Sequence, residues 1–385
     1  MPFRESTRMD ERSEFVLSYC TGAFTMSELC ARFGVSRPTG YKWLERYAQE
    51  GMLGLQDRSR AAHHCPHRMA PQMQALLLAQ RTARPHWGAR KILNAMARRD
   101  PALVLPSRSA VNALFARHGL SERRKARRRV PAGAPVQPTV TIPNEVWTID
   151  FKGQFRTGDG RWCYPLTVMD LASRYLLECR GKPSVASAPV ARIMHELFAR
   201  YGLPAAIHSD NGTPFASIGL CGLSRLSVRW LKLGIRVQRS RPAQPQDNGA
   251  HERMHRTLKA ATARPPAANA RAQQRRFDAF RDEYNFERSH ETLQDRLPCE
   301  AYQPSTRHHP RCLGAPSYPG HFEQRKVIAH GCIKWRGRCV FIGAAFHGEV
   351  LGLEEVDDGI WSLYFADQLL ARFDERLSKL FEVPL

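Results

Sequence analysis

Three carboxylates in the middle of the chain stand where they could hold divalent metal ions. Asp150 lies inside the apolar run EVWTIDFK, Asp210 ends the segment AAIHSD, and Glu252 lies in DNGAHERMHRTLKAAT, which we predict to be helical. Carboxylates that converge from separate elements repel one another unless cations are present, and hard oxygen ligands suit divalent ions. Two such ions about 3.5–4 Å apart can activate an attacking oxygen and stabilise a leaving oxygen at phosphorus. The pattern therefore predicts nuclease or strand-transfer chemistry.

Each carboxylate also has an ordinary structural explanation, because an aspartate at a strand end commonly serves as a turn or capping residue. Asp150 is the hardest to explain in this way. It stands among Val146, Ile149 and Phe151, and burying a charge there without a partner would cost several kcal/mol. The combination of the three sites, rather than any one of them, favours a cation site.

The elements that must position these residues alternate between strands and helices. We predict strands at 145–152, 162–170, 175–180, 205–210 and 235–241, helices at 185–202 and 247–262, and an enlarged loop and helix in SIGLCGLSRLSVRW (217–230). Short loops with glycine separate the first three strands, which is typical of an antiparallel meander. The order βββαβαβα is that of the ribonuclease-H-like fold. If the first and fourth strands are neighbours, Asp150 and Asp210 lie at the same edge of the sheet.

Three motifs carry a family resemblance over residues 144–302. VWTIDFKG, HSDNGTPFAS and PQDNGAHERMHRTLK resemble the signatures of DDE transposases related to retroviral integrases, specifically bacterial insertion-sequence transposases with helix-turn-helix units fused to an integrase catalytic core. The stretch YNFERSHETLQDRLPCEAY resembles the segment after the catalytic helix, with matching positions at Asn285, Arg288, His290, Leu293, Pro298 and Tyr302.

The resemblance implies that Asp150, Asp210 and Glu252 form the catalytic, metal-binding triad with two Mg²⁺ or Mn²⁺ ions. It implies double-stranded DNA as the partner, both the terminal inverted repeats of the element and the target, and a homo-oligomer assembled on that DNA. A water would cut the DNA, and the freed 3′-hydroxyl would then attack target phosphate.

One spacing departs from the family pattern. Between Asp210 and Glu252 lie 41 residues, which is more than is usual in the family. Asp247 is an alternative third carboxylate by spacing, because 36 residues separate it from Asp210. We prefer Glu252 because its neighbours match the family motif, while Asp247 beside Asn248 and Gly249 is typical of a turn or helix cap.

Basic and imidazole side chains surround the third carboxylate. Arg253, Arg256 and Lys259 on the same helix are expected to contact DNA phosphates. His208, His251 and His255 could assist proton transfer or contact phosphate, and packing or hydrogen bonding explains each of them equally well.

The composition indicates a polyanion partner. With 58 lysines and arginines against 36 aspartates and glutamates, the net charge is +22 and the isoelectric point about 10.1. The charge is +14 over residues 1–131, +10 over 132–316 and −2 over 317–385. A hydrophobic fraction of 43% excludes a disordered or fibrous chain.

A basic arm separates the first two of these blocks and leads into a proline-rich linker without charge, residues 131–143. We expect the arm to bind DNA, although a merely solvated run is an alternative. Its cations are Arg123, Arg124, Lys125, Arg127, Arg128 and Arg129.

A helix-turn-helix unit is predicted near the beginning of the chain. A helix that starts near Ser27 closes at Gly34 in a left-handed turn, and Ser36 caps the next helix. The second helix can enter the DNA major groove. Its exposed candidates near the N-terminal end are Arg37, Thr39, Gly40 and Lys42. A generic helical hairpin is the alternative.

A second helical unit follows between residues 61 and 130. Ile92, Leu93 and Met96 form an apolar stripe, and Ser107 caps a helix that begins at Arg108, a further candidate DNA contact, and turns Val111, Leu114 and Phe115 inward. We expect Trp87 to be a core or docking aromatic. No zinc is predicted at His63, His64, Cys65 and His67, because no downstream cysteine pair completes a ligand set.

The C-terminal block is predicted to form several short strands with a hairpin turn at VDDG, which suggests a small β-barrel with a basic patch at Lys334, Trp335, Arg336 and Arg338.

The predicted domains are 1–60 (helix-turn-helix), 61–130 (second helical unit and arm), 131–143 (linker), 144–316 (catalytic core) and 317–385 (β domain). The chain is therefore expected to be multidomain: all-α at the N-terminus, an α/β ribonuclease-H-like integrase core, and a small β-barrel-like domain.

No apolar run approaches the roughly 18 residues that cross a bilayer, so we expect a soluble, cytoplasmic, nucleoid-associated protein without a membrane partner. The ten cysteines lack any C-x-x-C pair and are expected to be reduced and mostly buried. Two other functions stay open: a retired transposase that only binds DNA in a sequence-specific way, and a ribonuclease-H-like nuclease without joining activity.

Overall fold

The computed structural model describes residues 7–58, 69–121, 140–217, 219–241 and 248–383. The chain divides into two compact units, residues 1–69 and 70–385. The basic arm, the histidines at 63, 64 and 67 with Cys65, and the rival carboxylate Asp247 lie outside the described residues.

The first unit contains three helices, α1 (Arg8–Cys20), α2 (Met26–Phe33) and α3 (Arg37–Glu50). The predicted helix-turn-helix is α2 and α3, and Gly34 ends α2 in the left-handed conformation at φ 63°. Ser36 occupies the N-cap of α3 as predicted, but its hydroxyl lies 2.9 Å from that of Thr39 and makes no bond to the helix backbone. The sequence interpretation missed α1, whose start is marked by a capping box between Thr7 and Asp10.

One prediction for this unit is wrong, because Gly40 is buried rather than exposed. A Cβ atom at this position would lie 2.8 Å from the sulfur of Met26 and 2.9 Å from Cζ of Phe15. Gly40 is therefore the point where α3 approaches α1 and α2 most closely, and it cannot contact DNA.

The second unit begins with α4 (Pro71–Ala83), α5 (Ala89–Arg99) and α6 (Arg108–Arg117). The hydroxyl of Ser107 accepts a hydrogen bond from the backbone N–H of Ala110 at 3.2 Å, which confirms the predicted cap. The three inward residues of α6 are buried, also as predicted: Val111, Leu114 and Phe115. The sequence interpretation missed α4.

A six-stranded sheet forms the centre of the second unit. Its strands are β1 (Val146–Phe151), β2 (Phe155–Arg156), β3 (Trp162–Asp170), β4 (Leu176–Lys182), β5 (Ala206–Ser209) and β6 (Arg236–Arg239). The order is β2-β3-β1-β5-β6, with β4 paired to β3. β1 is antiparallel to β3 and parallel to β5, and β5 is parallel to β6. The predicted order of strands and helices is confirmed, except that the two-residue β2 was not predicted.

Helices cover both faces of this sheet. They are α7 (Ser187–Tyr201), α8 (Arg225–Lys232), α9 (Gly249–Thr262), α10 (Ala270–Phe286) and the short α11 (Pro298–Ala301). Trp147 of β1 stacks on Phe198 of α7 at 5.9 Å between ring centroids, whereas Leu176 of β4 belongs to a core with Met254 of α9 and Phe277 of α10. Since alternate residues of a strand face opposite sides, this double cover explains the nearly continuous apolar runs.

Polar contacts attach α5 and the segment before it to α10 and the loop that follows. The buried Trp87 donates its indole N–H to Glu283 at 2.7 Å, so it is a docking aromatic as predicted. Arg90 donates to Asp295 at 2.6 Å, and Asn94 donates to the hydroxyl of Ser289 at 3.0 Å. The second helical unit is therefore fixed to the catalytic core by specific contacts.

The C-terminal region is antiparallel β structure. Its strands are β7 (Glu323–Lys326), β8 (Cys332–Trp335), β9 (Arg338–Phe341), β10 (Val350–Asp357), β11 (Ile360–Phe365), β12 (Gln368–Asp374) and β13 (Lys379–Glu382). Five of them form a sheet in the order β13-β12-β11-β10-β7, and β8 pairs with β9. The predicted turn at VDDG joins β10 to β11.

Two smaller expectations are wrong. Trp335 does not belong to an exposed basic patch, because it is buried 4.7 Å from the ring of Trp361. The nine described cysteines are free thiols as predicted, but only Cys30, Cys163 and Cys179 are buried. Within the described ranges, no helix is both long enough and apolar enough to cross a membrane.

Candidate active site

The parallel pairing of β1 with β5 brings Asp150 and Asp210 to one edge of the sheet. Ile149 pairs with Ser209, and each aspartate is the next residue along its chain. Both carboxylates are half-buried. Burial, followed by the negative charge of Asp210, raises the pKa of Asp150 to about 7. The edge is therefore a site of negative potential that a cation would relieve.

Glu252 lies in the first turn of α9 and is exposed. Its charge also contributes to the raised pKa of Asp150, so the third predicted carboxylate lies in the same electrostatic neighbourhood as the other two. Arg256 and Lys259 follow it at intervals of four and three residues, which places them on the same face of the helix. Both are exposed, as is Arg253.

Two buried histidines of α9 lie beneath Asp150. Nδ1 of His255 is 3.5 Å from Oδ2 of Asp150, and ligand atoms of Asp150, His251 and His255 all lie within 4.8 Å of one another. Burial lowers the pKa of His251 to about 3 and that of His255 well below its ordinary value. Both rings are therefore neutral.

Threonine hydroxyls lie within hydrogen-bonding distance of three of the four ring nitrogens of His251 and His255. Thr148 lies 2.6 Å from Nδ1 of His251, and Thr167 lies 2.6 Å from Nε2 of both His251 and His255. Each hydroxyl and each neutral ring donates one hydrogen, so His255 Nδ1–H points at Asp150 when Thr167 donates to His255 and Thr148 donates to His251 rather than to a backbone carbonyl. An ionised Asp150 favours that arrangement.

These contacts decide which residues could hold a metal. His251 cannot ligate without breaking a hydrogen bond to threonine, whereas the carboxylates of Asp150, Asp210 and Glu252 offer oxygen atoms at an accessible edge. Oxygen ligands suit Mg²⁺ and Mn²⁺. The carboxylate oxygens fit such an ion, whereas His251 would first have to give up a threonine hydrogen bond.

The HSDNG motif shapes the turn that carries Asp210. Its Oδ1 accepts the backbone N–H of Gly212 at 3.1 Å, and a Cβ on Gly212 would lie 3.0 Å from Oδ2. Asn211 donates to the backbone carbonyl of Ser240 at 2.8 Å, and His208 contacts the hydroxyl of the same serine at 3.0 Å. The asparagine and the glycine therefore position the second carboxylate.

The predicted DNA contacts fall into separate places. In the first unit, Arg37 and Lys42 are exposed near the start of α3, Thr39 is half-buried, and Arg37 donates to Ser27 at 2.6 Å. In the second unit, Arg108 is exposed at the start of α6. Each lies at a helix N-terminal end, where base-contacting side chains of such helices are found.

Sequence reasoning missed the threonines that support the site. A signal was available for Thr148, because it stands two residues before Asp150 on the same strand and therefore faces the same side. Thr167 is found only through the antiparallel register, which pairs it with Asp150.

A mixed sheet of this order, with carboxylates at its parallel edge and helix-turn-helix units before it, defines an integrase-type core joined to DNA-reading modules. Family models agree with this description. Two models described as "Integrase core domain" match residues 140–245 and 233–298. "Helix-turn-helix domain" matches residues 11–63, "Homeodomain-like domain" 39–115, and "IS481 family transposase, C-terminal domain" 323–379. Residues 140–298 therefore match integrase cores, and residues 323–379 match the C-terminal domain of IS481 family transposases.

Viral polyproteins are among its curated relatives. The chain is 30% identical over 190 residues to the Gag-Pol polyprotein of baboon endogenous virus (strain M7), covering 49% of this chain and 10% of that protein. It is 31% identical over 141 residues to the Gag-Pol polyprotein of avian reticuloendotheliosis virus, covering 35% and 12%. It thus spans about a tenth of the length of these relatives.

Two solved structures show a distant likeness. A simian T-cell lymphotropic virus intasome in complex with PP2A regulatory subunit B56 gamma is 15% identical with a TM-score of 0.38, covering 77% of this chain and 97% of that chain. The HTLV-2 integrase catalytic core domain in complex with magnesium is 14% identical with a TM-score of 0.34, covering 42% and 98%.

Proposed function

We propose that this protein is a transposase that binds the terminal inverted repeats of its own element and catalyses metal-dependent DNA cleavage and strand transfer. The observation that carries the proposal is the parallel pairing of β1 with β5, which sets Asp150 and Asp210 side by side with Glu252 in the same electrostatic neighbourhood. The integrase core and transposase family matches support it.

Asp150, Asp210 and Glu252 are the proposed metal ligands. Two Mg²⁺ or Mn²⁺ ions held there would supply charge stabilisation at the attacking and leaving oxygens. His255 orients Asp150, and the hydrogen-bond chain through Thr167 and His251 fixes the ring of His255. The exposed Arg256 and Lys259 are proposed to bind the DNA backbone beside Glu252.

The reaction is proposed to have two displacements at phosphorus. In the first, the oxygen of water bonds to the phosphorus at the element's end, the bond to the 3′-oxygen breaks, and a 3′-hydroxyl is released. In the second, that 3′-oxygen bonds to a target phosphorus and displaces a 3′-oxygen of the target strand. Neither step needs a covalent bond to the protein.

End recognition is assigned to the helical units. α3 is proposed to lie in a major groove with Arg37, Thr39 and Lys42 at its reading end, and α6 to present Arg108 to a second part of the site. The basic arm from Arg123 to Arg129 is proposed to contact the DNA backbone. Because two ends must be joined, we propose a homo-oligomer on DNA.

An end-cleavage and joining assay tests this function. Wild type, Asp210→Ala and the matched control Asp282→Ala, an exposed carboxylate of α10, are incubated with DNA carrying the repeats that flank the gene, with Mg²⁺, Mn²⁺ or EDTA. Joined products are expected from wild type and the control only, and only with metal.

Three results would contradict parts of the proposal. Tight repeat binding without products from any protein would favour a retired, DNA-binding transposase. Cut but never joined products would favour a plain nuclease. A product linked to a tyrosine or serine would exclude the proposed mechanism.

A further inference from the structure

A cavity of about 200 Å³ lies on the side of α9 that faces α5 and the end of α10. It contains none of the three predicted catalytic carboxylates. The side chains that matter for its chemistry are Lys91, Arg174, Arg253, Tyr284, Arg288 and His290.

The lining is strongly positive. Lys91, Arg174, Arg253 and Arg288 come from four separate segments of the chain, and the one carboxylate among the described lining residues is Glu291. That side chain is 66% exposed and already lies 3.3 Å from Arg90. The cations that converge here are therefore not neutralised by a described acidic group inside the cavity.

Several buried donors in the cavity lack acceptors. Arg288 is only 8% exposed, and its Nη1 has no hydrogen-bond partner among the described residues. Its Nη2 has a long contact of 3.5 Å to the hydroxyl of Thr257. Nη1 of Arg174 and Nε2 of His290 are also buried without a described partner. Buried polar groups are normally paired, so the two guanidinium nitrogens, which can only donate, point to an acceptor in the cavity.

The proton affinities agree with this arrangement. Burial, followed by the charge of Arg288, lowers the pKa of Lys91 to about 8. Burial likewise lowers the pKa of Arg288 and that of Arg174. Cations whose charged forms are disfavoured in the empty cavity would be stabilised by an anion.

We propose that this cavity binds a phosphate group, which bridges Lys91 of the second helical unit to Arg174 and Arg288 of the catalytic core. The ionised oxygens of a phosphate accept hydrogen bonds, and guanidinium groups bind them through paired hydrogen bonds. The phosphate comes either from free inorganic phosphate or from the backbone of bound DNA. The site is separate from the carboxylate edge, and its first test needs no DNA.

The first arm of the test measures the thermal midpoint (Tm) of the full chain in inorganic phosphate and in sodium chloride at equal ionic strength. A ligand that binds only the folded state raises its stability, so a higher Tm is expected in phosphate. The double variant Lys91→Met/Arg174→Gln should show a smaller rise, limited to the general stabilisation that phosphate gives to folded proteins. Arg275→Gln, which removes an exposed cation of α10 outside the cavity, should keep the wild-type difference.

The second arm measures binding of a duplex of arbitrary sequence at several salt concentrations. Each backbone phosphate contacted contributes about 0.9 to the slope of log K against log salt. If a DNA phosphate occupies the cavity, the slope of the double variant is shallower by about that amount. Inorganic phosphate should then weaken duplex binding more than sodium chloride does at the same ionic strength. Arg275→Gln serves as the control for the loss of one surface charge.

The outcomes separate the two sources and can overturn the proposal. A phosphate-specific rise in Tm that the double variant loses assigns the site to free phosphate, and a change of slope without that rise assigns it to DNA. A rise of the same size in the double variant with an unchanged slope, or no effect in either arm, overturns it. If the double variant fails to fold, Lys91→Met alone, at a half-buried position, makes the same comparison.

Discussion

Nδ1 of His255 lies 3.5 Å from Oδ2 of Asp150, while its Nε2 lies 2.6 Å from the hydroxyl of Thr167. The contact with Thr167 holds the buried ring in place, so that its Nδ1 faces the half-buried carboxylate. The same hydroxyl also contacts His251. The three side chains form a support beneath one predicted metal ligand.

Replacing His255 should weaken catalysis more than DNA binding. We expect His255→Asn to lower the rate of metal-dependent end cleavage about 10- to 100-fold, as is usual when a residue that orients a metal ligand is lost. The Kd for repeat DNA should stay close to that of wild type. Cleavage rates and Kd values are compared with those of His347→Asn, which replaces an exposed histidine. Unchanged cleavage by a folded His255→Asn protein would contradict the positioning role.

Removing the charge of Asp150 should stabilise the metal-free protein and abolish its activity. In the absence of metal, the carboxylate is half-buried beside the charges of Asp210 and Glu252, and an amide of the same shape relieves both burial and repulsion. We expect Asp150→Asn to raise Tm in EDTA at pH 8 and to lose the increase in Tm that Mg²⁺ or Mn²⁺ gives wild type. Asp282→Asn is the control. A lower Tm in EDTA would show that the three charges do not repel as inferred.

A side chain at Gly40 should destabilise the first unit. Two atoms already lie within 3.0 Å of the place a Cβ would occupy, and forcing extra methyl groups into a packed core costs about 1–3 kcal/mol. We expect Gly40→Val to lower the free energy of unfolding of this unit by that amount. Urea unfolding of a fragment of residues 1–69, followed by tryptophan fluorescence, reports it, since Trp43 is the one tryptophan in that range. Ala48→Val, on an exposed position of the same helix, should change stability far less.

The contact between Trp87 and Glu283 should make docking of the second helical unit sensitive to acid. Burial alone would raise the pKa of Glu283, but hydrogen bonds from His86 and Trp87 hold it below the ordinary 4.5. Because the folded pKa is the lower one, the stabilisation is complete above pH 4.5 and is lost as the pH falls through the folded value. We expect Glu283→Gln to lower Tm at pH 7 and to flatten the fall in Tm below pH 4.5. Equal slopes for wild type, Glu283→Gln and the control Asp282→Asn would contradict this account.

Local pattern was sufficient to predict much of the catalytic core. Apolar runs located β1, β3 and β5 to within a residue or two, and Gly34 and Ser107 marked a helix end and a helix start because their preferences are properties of single residues. Local pattern also predicted the element that carries each carboxylate: a strand for Asp150, a strand end for Asp210 and a helix for Glu252. Their catalytic role stays a prediction.

Relationships between distant segments were decided only by the tertiary structure. Gly40 is buried because three helices meet there, and Thr167 supports the histidines because β3 pairs with β1 in one register. Lys91 and Arg288 line one cavity although 196 residues separate them along the chain. Sequence periodicity reports which face of an element is apolar, whereas the pairing of faces depends on how the elements pack. The candidate triad could therefore be recognised from the sequence alone, and its supporting histidines and the basic cavity could be found only in the folded chain.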